Sequence, residues 1–140
     1  MNTVRQLLQD KGHEVLSIEP HNSVYNAMQL MTAREIGALL VLEDGKLIGI
    51  ITARSFFNHV RLLDKPLRDI QVEEIMTSKV AYVGPDNTTE DCMKLVTKMR
   101  IHHLPVMENN QIIGIISTGD LIKDAISDRE FDIHQFERYI

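Results

Sequence analysis

Residues 15–58 of the chain align with residues 80–123 without a single gap. Identical pairs include Pro20/Pro85, Asn22/Asn87, Met28/Met93, Leu30/Leu95, Ile36/Ile101 and Val41/Val106, and the run Ile48-Gly49-Ile50-Ile51 lies over Ile113-Gly114-Ile115-Ile116. An ungapped match of this length constrains the fold more than any other feature, because whatever one copy builds the other must build too. Stacked solenoids need about three or more units to bury a continuous core. Two copies are too few for that, but they can make a closed two-fold pair.

Each copy opens on a short extended piece ending at Pro20 or Pro85 and then reaches a helix N-cap residue, Ser23 or Thr88. The following helices carry one apolar face each. Val24, Ala27, Met28 and Met31 fall at helical spacing in the first copy, and Cys92, Leu95, Val96 and Met99 do so in the second. Met31 and its methionine neighbours are read as core filler. Two apolar runs follow in each copy, 39–42 then 47–51 and 104–107 then 112–116, separated by Glu43-Asp44-Gly45-Lys46 and Glu108-Asn109-Asn110-Gln111. Asp-Gly and Asn-Asn tolerate the positive φ angles of tight hairpin turns. The runs lack polar alternation, which predicts sheets covered on both faces. The fold class is thus α/β in the α+β sense, two β-α-β-β-α units, with residues 1–70 assigned to the first and 71–140 to the second. The stretch 64–74 is charged, contains Pro66 and reads as a connection too polar for another core element. The end, 127–140, mixes charge with Phe131, Ile133, Phe136, Tyr139 and Ile140 and reads as a short helix packed on the body or on a second subunit.

Composition narrows the function classes. Hydrophobic residues make up 44% of the 140 positions, ample for a core. Fifteen Lys and Arg stand against twenty Asp and Glu, a formal charge of −5 with no basic cluster, which argues against nucleic acid as a partner. The single cysteine, Cys92, has no partner for an internal disulfide and fits a reducing, cytoplasmic setting. No apolar run suits a signal peptide or reaches the roughly 20 residues of a bilayer span, so no membrane association is expected.

At the end of each copy the last strand runs into a turn: Gly114-Ile115-Ile116-Ser117-Thr118-Gly119-Asp120, and Gly49-Ile50-Ile51-Thr52-Ala53-Arg54-Ser55. The former resembles the signature of the CBS (cystathionine β-synthase) domain, in which a glycine and an apolar strand precede Ser or Thr, two residues and Asp. Ile75-Met76-Thr77 resembles the usual lead-in to a second CBS domain, and the stretch from Arg100 through Ile101, His102, His103, Leu104 and Pro105 to Val106 resembles its middle strand. The resemblance covers nearly the whole chain. Ser-x-x-Asp alone would be a weak signal; the order of several motifs inside a matching duplication makes it specific.

The resemblance implies a stand-alone tandem pair of CBS domains whose clefts take adenosine nucleotides. Carried onto this chain, it implies Leu16, Ile36, Gly37 and Ala38 around the base, Ser117, Thr118 and Asp120 at ribose and phosphate, and His103, with His102 second, near phosphate. A weaker second site is implied at Thr52, Arg54, Ser55, Ala81 and Ile101, where Ser55 stands in the place of the usual Asp. The residue chemistry agrees. An ionised carboxylate is acceptor-only and suits two vicinal hydroxyl donors, and short hydroxyls at a helix N-terminus suit an anion. Gly37 and Ala38 are small enough for a flat base to approach the backbone closely.

Plainer readings stand beside these. Ser117 and Asp120 equally form an [ST]-x-x-D helix start, each side chain serving a backbone N–H of the first turn. His102 and His103 are adjacent, face opposite sides of a strand and do not share a metal, and a surface or core role fits His102 as well. Arg54 fits either phosphate contact or the solvent face of its helix. Cys92, on the apolar stripe, is buried filler rather than a nucleophile. Gly49 and Gly114 permit close packing inside strands.

The leading expectation is a non-catalytic regulatory module. It takes an adenine nucleotide, AMP, ADP or ATP with S-adenosylmethionine and NAD(H) as further candidates, and signals to an unidentified regulated protein from a homodimer. No catalytic cofactor and no metal are expected, and no general base stands paired with a nucleophile. The alternative is a structural dimerisation module that needs no ligand.

Overall fold

A computed structural model of the chain describes residues 2–128. The terminal helix expected over 127–140 therefore lies, from residue 129 onward, outside the described residues. The described residues form two compact units, one of Glu14–Ala81 and the other of residues 2–13 together with residues 82–128. The division expected from sequence fell at 70/71. The repeats in sequence and the compact units in space are different partitions, for a reason visible in each unit's packing.

In the unit of the first repeat, β1 (Ser17–Ile18) pairs in parallel with β2 (Ala38–Glu43), which pairs antiparallel with β3 (Lys46–Thr52). Asp44 and Gly45 join the hairpin with φ of 52° and 77°, the positive angles expected at that turn. Helix α2 (Val24–Arg34) starts where Ser23 Oγ accepts from the Asn26 N–H. It stops where Glu35 takes a left-handed conformation. Its Val24, Ala27 and Met31 pack with Ile18, Leu39, Val41 and Ile51 into one core. Four consecutive residues of β2, Ala38 to Val41, are buried, so the unalternating strand is covered on both faces as expected. Helix α3 (Ala53–Leu63) leads out of β3.

The stretch read as a polar connection is a correction. It holds a 3₁₀ turn, Leu67–Asp69, and a short helix, α4 (Val72–Ile75), and its Ile70, Val72 and Ile75 are fully or almost fully buried in the core. The charged residues around them face water, and three well-spaced apolar side chains were enough to anchor the segment. Fully burying each such side chain contributes roughly 1.5–3 kcal/mol.

The unit of the second repeat copies this plan with α5 (Thr89–Met99), β4 (His103–Glu108), β5 (Gln111–Ser117) and α6 (Thr118–Asp128). Thr88 caps α5 by accepting from the Asp91 N–H, Arg100 ends it left-handed, and Asn109 and Asn110 make the hairpin turn at φ 52° and 62°. Its opening strand is reduced to one parallel bridge, Val83 to Val106. The cause is one residue. In the first repeat the Leu40 N–H donates to the Leu16 carbonyl at 3.2 Å; the aligned position is Pro105, which has no N–H to continue the ladder. On α5, Cys92 and Val96 are buried and Leu95 half-buried, but Met99, expected in the core, is 50% exposed at the helix end.

A second internal match explains the partition. Thr3-Val4-Arg5-Gln6-Leu7-Leu8 and Gln71-Val72-Glu73-Glu74-Ile75-Met76 play the same part, each as a capped lead-in. The Val72 and Glu73 N–H groups donate to Asn22 and Pro20 carbonyls, and those of Val4 and Arg5 donate to the aligned Asn87 and Pro85. Each lead-in thus serves the repeat it does not precede: α1 (Val4–Lys11) packs on the second repeat and α4 on the first. The strand glycines make room for them. A Cβ on Gly49 would lie 2.5 Å from Met76 Sδ and 3.0 Å from the Thr77 carbonyl oxygen, and one on Gly114 would lie 2.7 Å from Leu8 Cδ2.

Candidate functional site

The β5–α6 junction gathers most of the polar residues singled out in the sequence. Ser117 closes β5 and Asp120 sits in the first turn of α6, so their side chains reach back across the helix start. Ser117 N–H donates to Asp120 Oδ2 at 2.8 Å, and Asp120 N–H donates to Ser117 Oγ at 3.1 Å. This reciprocal pair is the capping arrangement that the [ST]-x-x-D reading described. Asp120 is therefore occupied structurally through one of its two oxygens. Among the described residues, Oδ1 takes no hydrogen bond.

Lys11 was not foreseen. It lies in the last turn of α1, which Gly12 ends at φ 106°, and its Nζ reaches both Asp120 Oδ2, at 2.6 Å, and the Ile115 carbonyl oxygen, at 2.5 Å. Burial pushes the Asp120 carboxyl up, but the Lys11 ammonium and the Ser117 N–H outweigh it and hold the group below the ordinary carboxylate value. Nothing in residues 114–120 hints at a lysine more than a hundred positions earlier. The lead-in match was the one available signal that this helix belongs here.

His102 precedes β4 and His103 opens it, so the strand alternation expected of the pair does not apply. The His102 carbonyl accepts from the Thr118 N–H at 2.9 Å, and its exposed ring has Nδ1 3.4 Å from Thr118 Oγ1. His103 begins β4 opposite Ser117 and is half-buried. Burial, then the neighbouring His102 and Lys11, pull its pKa below the ordinary imidazole value. A phosphate contact by the His103 cation therefore requires more acid than an ordinary imidazole would. Ile101, half-buried, follows α5 and donates its N–H to the Val96 carbonyl.

The first repeat holds the counterpart of this junction in its own unit. Thr52 Oγ1 accepts from the Ser55 N–H at 3.1 Å, Ser55 Oγ accepts from the Thr52 N–H at 3.3 Å, and the two hydroxyls lie 3.1 Å apart. Ser55 is only 5% exposed. Its hydroxyl is buried and engaged locally, so the position offers a cap without a charge. Ala38 faces Thr52 across the hairpin, and the Gly37 carbonyl accepts from the Ala53 N–H, as His102 does from Thr118. Leu16 and Ile36 are half-buried in this unit, Arg54 is exposed on α3, and Ala81 is its last residue. The base-side residues expected from sequence thus belong to one compact unit and Ser117, Thr118 and Asp120 to the other.

Two copies of a strand–helix–hairpin–helix unit, each with a hydroxyl-capped helix start at the end of its last strand, define a tandem repeat domain of the α+β class. The chain belongs to the CBS domain family, whose model matches residues 4–61 and 72–126. It is similar to the CBS domain-containing protein CBSX3, mitochondrial, of Arabidopsis thaliana, at 29% identity over 99% of this chain and 71% of that protein. Among solved structures, the CBS domain NE2398 is 59% identical, with a TM-score of 0.88, over 90% of this chain and 99% of that one. A putative signal-transduction protein with CBS domains from Burkholderia ambifaria is 41% identical, with a TM-score of 0.89, over 94% and 99%. The fold is shared with more distant chains solved with ligands. One is CBSX2 in complex with AMP, at 21% identity and TM-score 0.75 over 91% of this chain and 98% of that one. Another is the CBS domain pair of MJ0100 in complex with 5′-methylthioadenosine and S-adenosyl-L-methionine, at 22% and 0.79 over 92% and 98%. Among the described residues no helix is long and apolar enough to cross a membrane.

Proposed function

We propose that the chain is a non-catalytic regulatory module that binds an adenine nucleotide, with the start of α6 as its sugar and phosphate end. The observation that carries this reading is the Asp120 carboxylate. It is held ionised and pinned through Oδ2 while Oδ1 takes no protein donor among the described residues. An acceptor of that kind suits the paired hydroxyl donors of a ribose. Thr118 and the N–H groups of the first turn of α6 suit a phosphate. Leu16, Ile36, Gly37 and Ala38 are assigned to the base, and His103, with His102, to phosphate. The ligands of CBSX2 and of MJ0100 are all adenosine compounds, which supports the ligand class. The candidates are AMP, ADP and ATP, with S-adenosylmethionine and NAD(H) as further ones.

The first-repeat position, Thr52, Arg54 and Ser55 with Ala81 and Ile101, is assigned a weak site or none, because Ser55 is buried and uncharged. A homodimer, a regulated partner chain and a cytosolic setting belong to the same proposal. The exposed Met93, Met99 and Ile122 on α5 and α6, helices of one unit, support an apolar helical contact. One observation favours a second reading, a ligand-independent dimerisation module: Asp120 already has a structural task as a cap. Isothermal titration of the purified chain with the five nucleotides separates the two. Micromolar to submillimolar binding of an adenosine compound supports the first, and silence from all five leaves the scaffold.

A further inference from the structure

We propose that Lys11 is the positioning residue of the ligand site: by tying Asp120 Oδ2 to the end of β5, it leaves Oδ1 as the oxygen presented to a ribose hydroxyl. The inference rests on the nucleotide reading and adds to it a residue from outside both copies of the repeat.

The geometry is specific. Lys11 Nζ bonds at once to Asp120 Oδ2 and to the carbonyl of Ile115, two residues before Ser117 on β5. The Ser117 N–H donates to the same carboxylate oxygen. A carboxylate turns easily about its last bond, where the torsion is broad and two-fold. A single cap bond therefore leaves the two oxygens free to exchange. Two donors converging on one oxygen from different elements oppose that exchange. The lysine is itself held by a strand carbonyl, so the clamp is referred to the sheet and not to a mobile side chain alone.

Charge gives Lys11 a second effect. A ligand phosphate approaching a bare carboxylate is repelled, and the repulsion grows as water is excluded. An ammonium 2.6 Å from Oδ2 offsets that charge while leaving Asp120 ionised. Of the three N–H donors of Lys11, two are committed to Ile115 and Asp120. Lysine and carboxylate side chains keep 31% and 20% of their surface, so the pair is partly covered rather than fully solvated. Helix α1 ends at Gly12, one residue past Lys11, and this stop delivers the ammonium at the right height. On this account residues 3–12 are part of the binding site although they lie before the first repeat.

The test compares the full-length wild type with Lys11→Met, Lys11→Gln and Lys11→Arg, titrated with AMP and with adenosine by calorimetry at pH 7. In parallel, the Asp120 carboxyl is followed by ¹³C NMR as pH is lowered. Lys11→Met and Lys11→Gln are expected to weaken AMP about tenfold, the scale of one hydrogen bond to a charged group. They are also expected to weaken adenosine, which has no phosphate, and to move the Asp120 titration to higher pH. Lys11→Arg keeps a donor and a charge and is expected to stay within about threefold of wild type. If wild type binds AMP and the neutral variants bind it equally well or more tightly, Lys11 is an occluding side chain or a bystander, and this inference falls while the nucleotide reading stands. Loss of AMP binding with adenosine unchanged refutes positioning in favour of simple phosphate attraction. Absence of any binding by wild type removes both readings together.

Discussion

Replacing Gly114 by alanine is expected to destabilise the chain, although alanine is normally the better strand residue of the two. The new Cβ would stand 2.7 Å from Leu8 Cδ2, 2.9 Å from Cδ1 and 3.3 Å from Cγ, where carbon atoms prefer about 3.5–4.0 Å. Leu8 has no exposed surface, so it cannot swing into solvent. Overpacking of this kind costs about 1–3 kcal/mol, offset by about 0.4–1 kcal/mol from the stiffer unfolded chain, for a net loss of up to about 2.6 kcal/mol. Leu8→Ala alone creates a cavity and costs about 2–5 kcal/mol. The double variant relieves the clash, because the added methyl fills part of the space that Leu8 vacates. It should therefore lose about 1–2 kcal/mol less than the sum of the single changes. Urea unfolding followed by far-ultraviolet circular dichroism measures all three. If the changes add to within about 0.5 kcal/mol, α1 does not lie on β5 and this packing is wrong.

Three further expectations concern the site and the core. Asp120→Ala, measured without ligand, should lower stability by about 1–2 kcal/mol through loss of the cap, and Asp120→Asn should recover most of it by keeping an acceptor for the Ser117 N–H; equal stability of all three would contradict the capping geometry. His103 should titrate below the ordinary imidazole value in ¹⁵N NMR. Because folding depresses its pKa, the stability it confers is complete above about pH 6.5 and is lost as pH falls from there through the folded value, while a phosphate contact would strengthen AMP binding over that same acid range. A His103 titration at or above the ordinary value would refute the burial argument. Cys92, buried and with its thiol pushed up to about 11 first by burial and then by Asp91, should react with a thiol reagent at pH 8 only as fast as the chain opens; reaction at the rate of a free thiol would show that α5 does not cover it.

The parts of the fold that were readable from sequence are those set by neighbours in the chain. Asp44-Gly45 and Asn109-Asn110 announced their turns because few residue pairs accept two positive φ angles. Ser23 and Thr88 announced their helices because a hydroxyl three residues before an N–H caps it. Duplication then doubled every such local signal. What escaped was set at long range. The polar look of 64–74 hid Ile70, Val72 and Ile75, whose burial depends on a core built earlier in the chain. The missing first strand of the second repeat turned on Pro105, which reads as an ordinary strand residue until its partner carbonyl is known. Met99 fell on the right helical stripe but one turn too far, where the helix leaves the core. At the candidate site, Ser117 and Asp120 were legible as a cap and as a ligand pair alike. Lys11 was not, since the clamp joins elements that only the fold brings together.

The most direct measurement is a crystal structure of the chain grown with AMP. The account predicts ribose hydroxyls within about 3 Å of Asp120 Oδ1, hydrogen-bond range, with Lys11 still on Oδ2. A complex in which the sugar lies away from Asp120, or in which the nucleotide displaces Lys11 to occupy Oδ2, would contradict it.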